Sequence, residues 1–166
     1  MIRDARFQDI AEIVKMVHEM HAASKYAGRV AIHDETLKEI LMAAVQGQRR
    51  PGPQGSFIAV AEHDGHLTGF MAGVLDRVYH IGTKLTANDL FLHCRESAQP
   101  TDAVRLIDAY IAWATANPRV IEIMLSWADT LPGAERIAAV YGRKGFSKVG
   151  EMWERRLDAA AEREAA

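Results

Sequence analysis

Residues 88–113, NDLFLHCRESAQPTDAVRLIDAYIAW, constrain the fold of this chain more than any other stretch. Residues 88–94 are short, apolar and aromatic after a polar start, which reads as a buried strand rather than a helix. From Pro100 the period changes. Val104, Ile107, Ile111 and Ala114 recur at helical spacing, and Leu106, Tyr110 and Trp113 widen the same apolar face. Thr101 is placed to cap this helix, its hydroxyl accepting from a backbone N–H two or three residues on. A strand that feeds a helix through a tight loop gathers free N–H groups at the positive end of the helix dipole, which suits an anion. Two readings of that loop stand: a phosphate site, or a strand-loop-helix unit that binds nothing, in which Asp102 already uses the dipole.

A chain of 166 residues is long enough to bury a core of helices against a sheet as one domain. Its formal charge of -2 supplies no basic field for nucleic acid and no polybasic anchor for a membrane surface, so small molecules or proteins are the expected partners. The opening MIRDARF has no apolar run behind it, and no later segment has the length to span a bilayer. The single cysteine, Cys94, excludes an internal disulfide framework. Together these features lead us to expect a cytoplasmic protein.

Around the central unit the chain reads as β-α-α-β-β-β-α-β-α-β. Residues 2–5 form a short first strand. Asp9, three residues before Glu12, opens a helix whose face is Ile10, Ile13, Val14, Val17, Met20 and His21. His18 and His21 on that helix lack a carboxylate or cysteine to complete a ligand set, so no metal is expected. Residues 24–33 connect to a second helix, capped by Asp34, that buries Leu37, Ile40, Leu41 and Ala44; the connection is a solvated loop or a wall of a substrate site. Residues 47–56 are an exposed loop rich in glycine and proline.

Residues 57–62 and 67–76 are strands joined at Asp64-Gly65, a strong signal for a tight hairpin. Gly69 and Gly73 in the second strand mark a bulge or a place where a ligand approaches the backbone closely. Residues 77–87 continue the hairpin or form a loop over the sheet. Asn117-Pro118 ends the central helix, residues 120–127 are a further strand, and Leu131-Pro132-Gly133 turns into a helix over residues 134–144 with Ile137, Val140 and Tyr141 along one side. Gly145 stops that helix. Residues 146–157 alternate as a closing strand with Phe146, Val149 and Trp153 buried, and residues 158–166 are a frayed helical tail beyond a single domain at 1–157. The expected architecture is α/β, a mixed and mostly antiparallel sheet with helices on both faces.

Residues 134–146, AERIAAVYGRKGF, resemble the last helix of the GNAT superfamily of acyl-CoA-dependent N-acetyltransferases, where a tyrosine precedes a short basic turn ending in Gly-Phe. The element order agrees with that family, the Asp-Gly hairpin fits its second and third strands, and DLFLHC at residues 89–94 is similar to its central strand. The resemblance covers residues 2–157. It implies transfer of an acetyl group from acetyl-CoA to an amine by direct attack in a ternary complex. It implies that Tyr141 is the general acid toward the leaving thiolate and that Asp89 is a base, directly or through water, with Glu62 and His93 as further candidates for the base. Backbone groups of Phe91, Leu92, His93 and Cys94 would hold the pantetheine arm and polarise the thioester carbonyl.

The family's next loop, Arg/Gln-x-x-Gly-x-Gly/Ala, holds the coenzyme diphosphate on backbone N–H groups. The corresponding residues are Ala98, Gln99, Pro100, Thr101, Asp102 and Ala103, of which Gln99, Thr101, Asp102 and Ala103 are the implied coenzyme contacts. Only Ala103 keeps the pattern. Pro100 removes a donor, Asp102 adds a negative charge, and Ala134 stands where the family commonly has an asparagine. Cys94 reads as a small apolar filler. The same departures define the alternative reading, a non-catalytic GNAT-fold binding module without coenzyme affinity. The acceptor is a small-molecule or peptide amine, and the resemblance also implies a homodimer.

Overall fold

Asp64 and Gly65 carry φ angles of 51° and 80°, and His63 faces His66 across them, which is the geometry of a two-residue hairpin turn. The turn joins β2 (Ser56–His63) to β3 (His66–Arg77), and these two strands form the middle of the sheet. The computed structural model describes residues 1–48, 50–128, 130–131, 133 and 135–155. The remaining elements are β1 (Ile2–Asp4), α1 (Ile10–Ala22), α2 (Asp34–Gly47), β4 (Leu85–Cys94), α3 (Asp102–Thr115), β5 (Val120–Met124) and α4 (Arg136–Arg143). The strand order is β1-β2-β3-β4-β5, antiparallel from β1 to β4 and parallel between β4 and β5.

Two-residue alternation in β2 gives the sheet its two cores. Ile58 and Val60 face α1 and α2, packing with Ile13, Met16, Leu41 and Phe70. Phe57, Ala59 and Ala61 face α3 and α4, packing with Leu106, Ile107, Tyr110 and Tyr141. Each large side chain taken fully out of water here contributes about 2 kcal/mol of hydrophobic free energy. Helices thus cover both faces, as the sequence pattern implied.

Between Ala72 and Gly73 the pairing of β3 with β4 slips, so that Phe91 faces Ala72 and Asp89 faces Gly73. Leu90 is the extra residue of a β-bulge and lies 46% exposed. Gly73 serves a packing purpose as well: a Cβ there would lie 2.5 Å from the ring of Tyr110. On its other edge β4 pairs with β5 only from Leu85 to Asn88, and beyond Met124 the two chains part.

Several expectations need correction. His33, not Asp34, caps α2, its Nδ1 accepting from the Thr36 N–H at 3.3 Å. Ile40 is 48% exposed, because α2 turns Leu37, Leu41 and Ala44, with Val45 beside them, toward the core instead. Residues 77–87 hold a short helical turn at Val78–His80 before β4 begins. β5 stops at Met124, short of Trp127. No strand forms within residues 146–155, where Val149 and Trp153 are 79% and 88% exposed. Alternation supplies a face for a strand but not a partner, and this segment pairs with no edge of the sheet. The described order therefore ends β-α, without the final strand expected. Pro132, Ala134, Leu157 and the tail expected at 158–166 lie outside the described residues. Among the described residues no helix is long and apolar enough to cross a membrane.

Candidate active site

Where β4 and β5 part, Ser126 joins the two residues expected to do chemistry. Asp89 Oδ1 accepts from the Ser126 N–H at 3.0 Å and from its hydroxyl at 3.1 Å. The Tyr141 hydroxyl donates to the Ser126 carbonyl at 3.1 Å. Tyr141 is delivered by α4, whose Ile137 and Val140 pack on the α3 side of the sheet. After α4 the chain reverses at Gly145, with φ of 87°, and sets the Phe146 ring 6.2 Å from that of Tyr141. Burial raises the Asp89 carboxyl above the usual carboxylate range, against the pull of its two bonds from Ser126. Burial, followed by the charge of Asp89, pushes the Tyr141 hydroxyl up to about 12, so it keeps its proton at neutral pH.

Beside this cluster the second half of β4 has one open edge. Residues 91–94 pair with β3, but on the β5 side no backbone partner is present among the described residues. Alternation holds along the edge. Phe91 and His93 lie near Phe70, with ring centroids 6.2 and 6.5 Å away, whereas Leu92 and Cys94 pack in the α3 core. Burial lowers the His93 imidazole, leaving it neutral, and its buried Nε2 has no hydrogen-bond partner among the described residues. Burial, and then the charge of Asp102, pushes the Cys94 thiol up to about 11, which agrees with a filler and not a nucleophile. Glu62 is not brought to this place; it accepts from Arg3 Nε at 2.5 Å on the β1 side of the sheet.

The loop between β4 and α3 is closed on itself. Arg95 enters it with its guanidinium forked onto Glu19 at 2.7 and 2.7 Å and paired with Glu12 at 2.8 Å, which pins the loop to α1. The Ala98 N–H donates to the Arg95 carbonyl at 3.0 Å, and the Asp102 N–H to the Gln99 carbonyl at 2.9 Å. Thr101 makes no side-chain cap, contrary to expectation. Asp102 caps the turn instead: fully buried, its Oδ2 accepts from the Gln99 N–H at 3.0 Å, from His63 Nε2 at 2.8 Å and from the Thr68 hydroxyl at 3.4 Å. Sequence reasoning missed His63 and Ser126, since neither stands in a local pattern with the residue it serves.

No family model matches the sequence, and no curated protein matches it. Solved structures do. A mutant of the BH1408 protein from Bacillus halodurans is 22% identical, with a TM-score of 0.70 over 95% of this chain and 99% of that one. A predicted acetyltransferase with acetyl-CoA from Clostridium acetobutylicum is 17% identical, with a TM-score of 0.70 over 95% and 96%. Glucosamine-6-phosphate N-acetyltransferase from Arabidopsis thaliana is 9% identical, with a TM-score of 0.68 over 95% and 98%. The chain has the GNAT fold. At these identities the likeness is one of fold, and it is the fold that the tyrosine helix and the central strand led us to expect.

Tested against the acetyl-CoA that a GNAT fold implies, the residues fit at one end and not at the other. Along residues 90–94 an unpaired edge can take the amide groups of a pantetheine arm, next to Asp89 and Tyr141. At the diphosphate end, Gln99, Ala98 and Asp102 already give their N–H groups to the loop itself. Pro100 has none to give. Among the described residues no group of three His, Cys, Asp or Glu side chains is arranged to hold a metal; the His18 ring meets Asp34 at 2.7 Å and the His21 ring meets the Val30 carbonyl at 2.7 Å.

Proposed function

We propose that this chain is an N-acetyltransferase that moves an acetyl group from acetyl-CoA to a small-molecule or peptide amine by direct attack. One observation supports the reading above the others: β4 loses its second partner just where Asp89 and Tyr141 meet on Ser126. An extended ligand laid on an open strand edge is held by main-chain hydrogen bonds, and its thioester would end at that cluster. Acetyl-CoA supplies the activated acyl carbon.

The remaining chemistry falls to the side chains. Asp89 takes the proton that the amine sheds as its nitrogen bonds to the acyl carbon; a carboxyl raised by burial holds that proton better than an exposed one. Tyr141 turns its O–H from the Ser126 carbonyl to the departing sulfur as the C–S bond breaks, and donates there. Backbone N–H groups in residues 91–94 polarise the thioester carbonyl. Cys94 stays a thiol, so no acyl-enzyme forms. The reading carries with it a cytoplasmic location, a homodimer, and no nucleic-acid or membrane partner.

A second reading, a binding module without catalysis, is favoured by the self-closed loop at Asp102. Release of free thiol from acetyl-CoA, measured over a panel of small amines and peptide N-termini, separates the two. Tyr141→Phe should lower turnover about 100-fold while leaving acetyl-CoA affinity unchanged; unimpaired turnover removes Tyr141 from its role. A folded protein that neither binds acetyl-CoA nor releases thiol with any acceptor is the binding module.

A further inference from the structure

At the start of α3, three donors from three parts of the chain converge on one oxygen. His63 Nε2 from the β2 hairpin, the Gln99 N–H from the loop and the Thr68 hydroxyl from β3 reach Asp102 Oδ2 at 2.8, 3.0 and 3.4 Å. Such a set at the positive end of a helix is an anion site, and here the anion is part of the chain. The pair is also reciprocal, since the Asp102 N–H returns to the Gln99 carbonyl at 2.9 Å. Asp102 is fully buried, and its Oδ1 has no partner among the described residues. A buried carboxylate oxygen left bare is costly, so the arrangement persists only because the other oxygen organises the turn.

We propose that Asp102 is the built-in occupant of this anion site, and that it makes the protein select its acyl donor through the pantetheine arm instead of the diphosphate. A diphosphate brought to the turn would meet a charge of its own sign and no idle donor at Gln99. The guanidinium of Arg95, at the start of the loop, is committed to Glu12 and Glu19. The donor class that fits is any acyl-pantetheine thioester, with or without the nucleotide diphosphate of coenzyme A. That choice of donor rests on the acyl-transfer reading; the occupancy of the turn does not.

Two titrations test it, each on the full chain. Inorganic pyrophosphate is titrated into isotope-labelled protein while the amide signals of Ala98, Gln99 and Ala103 are followed. The wild type should show no saturable shift there, and Asp102→Ala should gain one. Saturable shifts in the wild type, or none in a folded Asp102→Ala, would overturn the occupancy. Calorimetry then compares coenzyme A with pantetheine. In the wild type the two should bind within about threefold of each other, and Asp102→Ala should favour coenzyme A by about tenfold or more. A wild-type preference for coenzyme A of about 100-fold would overturn the selection. Gain of pyrophosphate binding without binding of either thiol sinks the acyl-transfer reading and leaves the occupied turn standing. Should Asp102→Ala melt below the assay temperature, Asp102→Leu, similar in size and without an acceptor, takes its place under the same criteria.

Discussion

Ser126 holds Asp89 with two donors and receives the Tyr141 proton on its carbonyl, so one residue sets the distance between the two groups proposed to act. The environment of Asp89 has a thermodynamic signature. Its carboxyl is raised in the folded state, mainly by burial, so the stability linked to it is complete below the unfolded value of about 3.9 and is lost as pH rises through the folded one. Asp89→Asn keeps an acceptor for Ser126 and never ionises. Its melting temperature should therefore gain on the wild type between about pH 4 and pH 7, while turnover falls. A wild type that gains on the variant over that range would show a carboxylate stabilised by the fold. Asp89 and Tyr141 stood out in the sequence because each stands inside a local pattern, the central strand and the Tyr-to-Phe helix end, and the fold brings both onto Ser126. Ser126 lies 37 residues from Asp89, and His63 lies 39 from Asp102. Only folding pairs them, and nothing near either serine or histidine announces it.

Among the elements, β3 and α3 meet at Gly73. The Tyr110 ring occupies the space that a side chain at Gly73 would fill, stacks edge-on to Phe57 at 5.6 Å, and sends its hydroxyl to the Met124 carbonyl at 3.2 Å. Two tyrosines thus catch carbonyls of the chain that leaves β4, Tyr110 at Met124 and Tyr141 at Ser126. Gly73→Ala should cost about 2 kcal/mol by overpacking and lower the melting temperature accordingly. Because Tyr110 holds the end of β5, turnover should fall with it; a variant of unchanged stability would show that the ring has room to move. The hairpin and the long helices were readable from period and turn chemistry. The choice at Gly73 between a bulge and a closely approaching ligand was not: the pairing slips there with the extra residue on the other strand, and what comes close is the Tyr110 ring.

For the molecule as a whole, the chain order decided the architecture, while the ends of the elements were decided by contacts across it. Arg95 joins the loop after β4 to α1 through Glu12 and Glu19, a fork between residues 76 apart at Glu19 that no window of sequence displays. Of the closing strand expected at 146–157, the described residues 146–155 form no strand although their alternation was present, because nothing in the alternation brings them to an edge of the sheet. The Asp102 site, by contrast, was half legible. A negative charge at a helix start was plain in the sequence, and its three donors were not.

The one-sided pairing of β4 beyond Asn88 should be visible as a rhythm in time. Successive amides of a strand point to opposite edges, so along residues 91–94 those facing β3 are protected and those facing away are not. Hydrogen–deuterium exchange should therefore alternate slow and fast residue by residue, unlike Ala59–Ala61 of β2, which pair with a strand on each side. A thioester lying on that edge would slow the fast amides and leave their neighbours alone, reporting its own position without any acceptor being known.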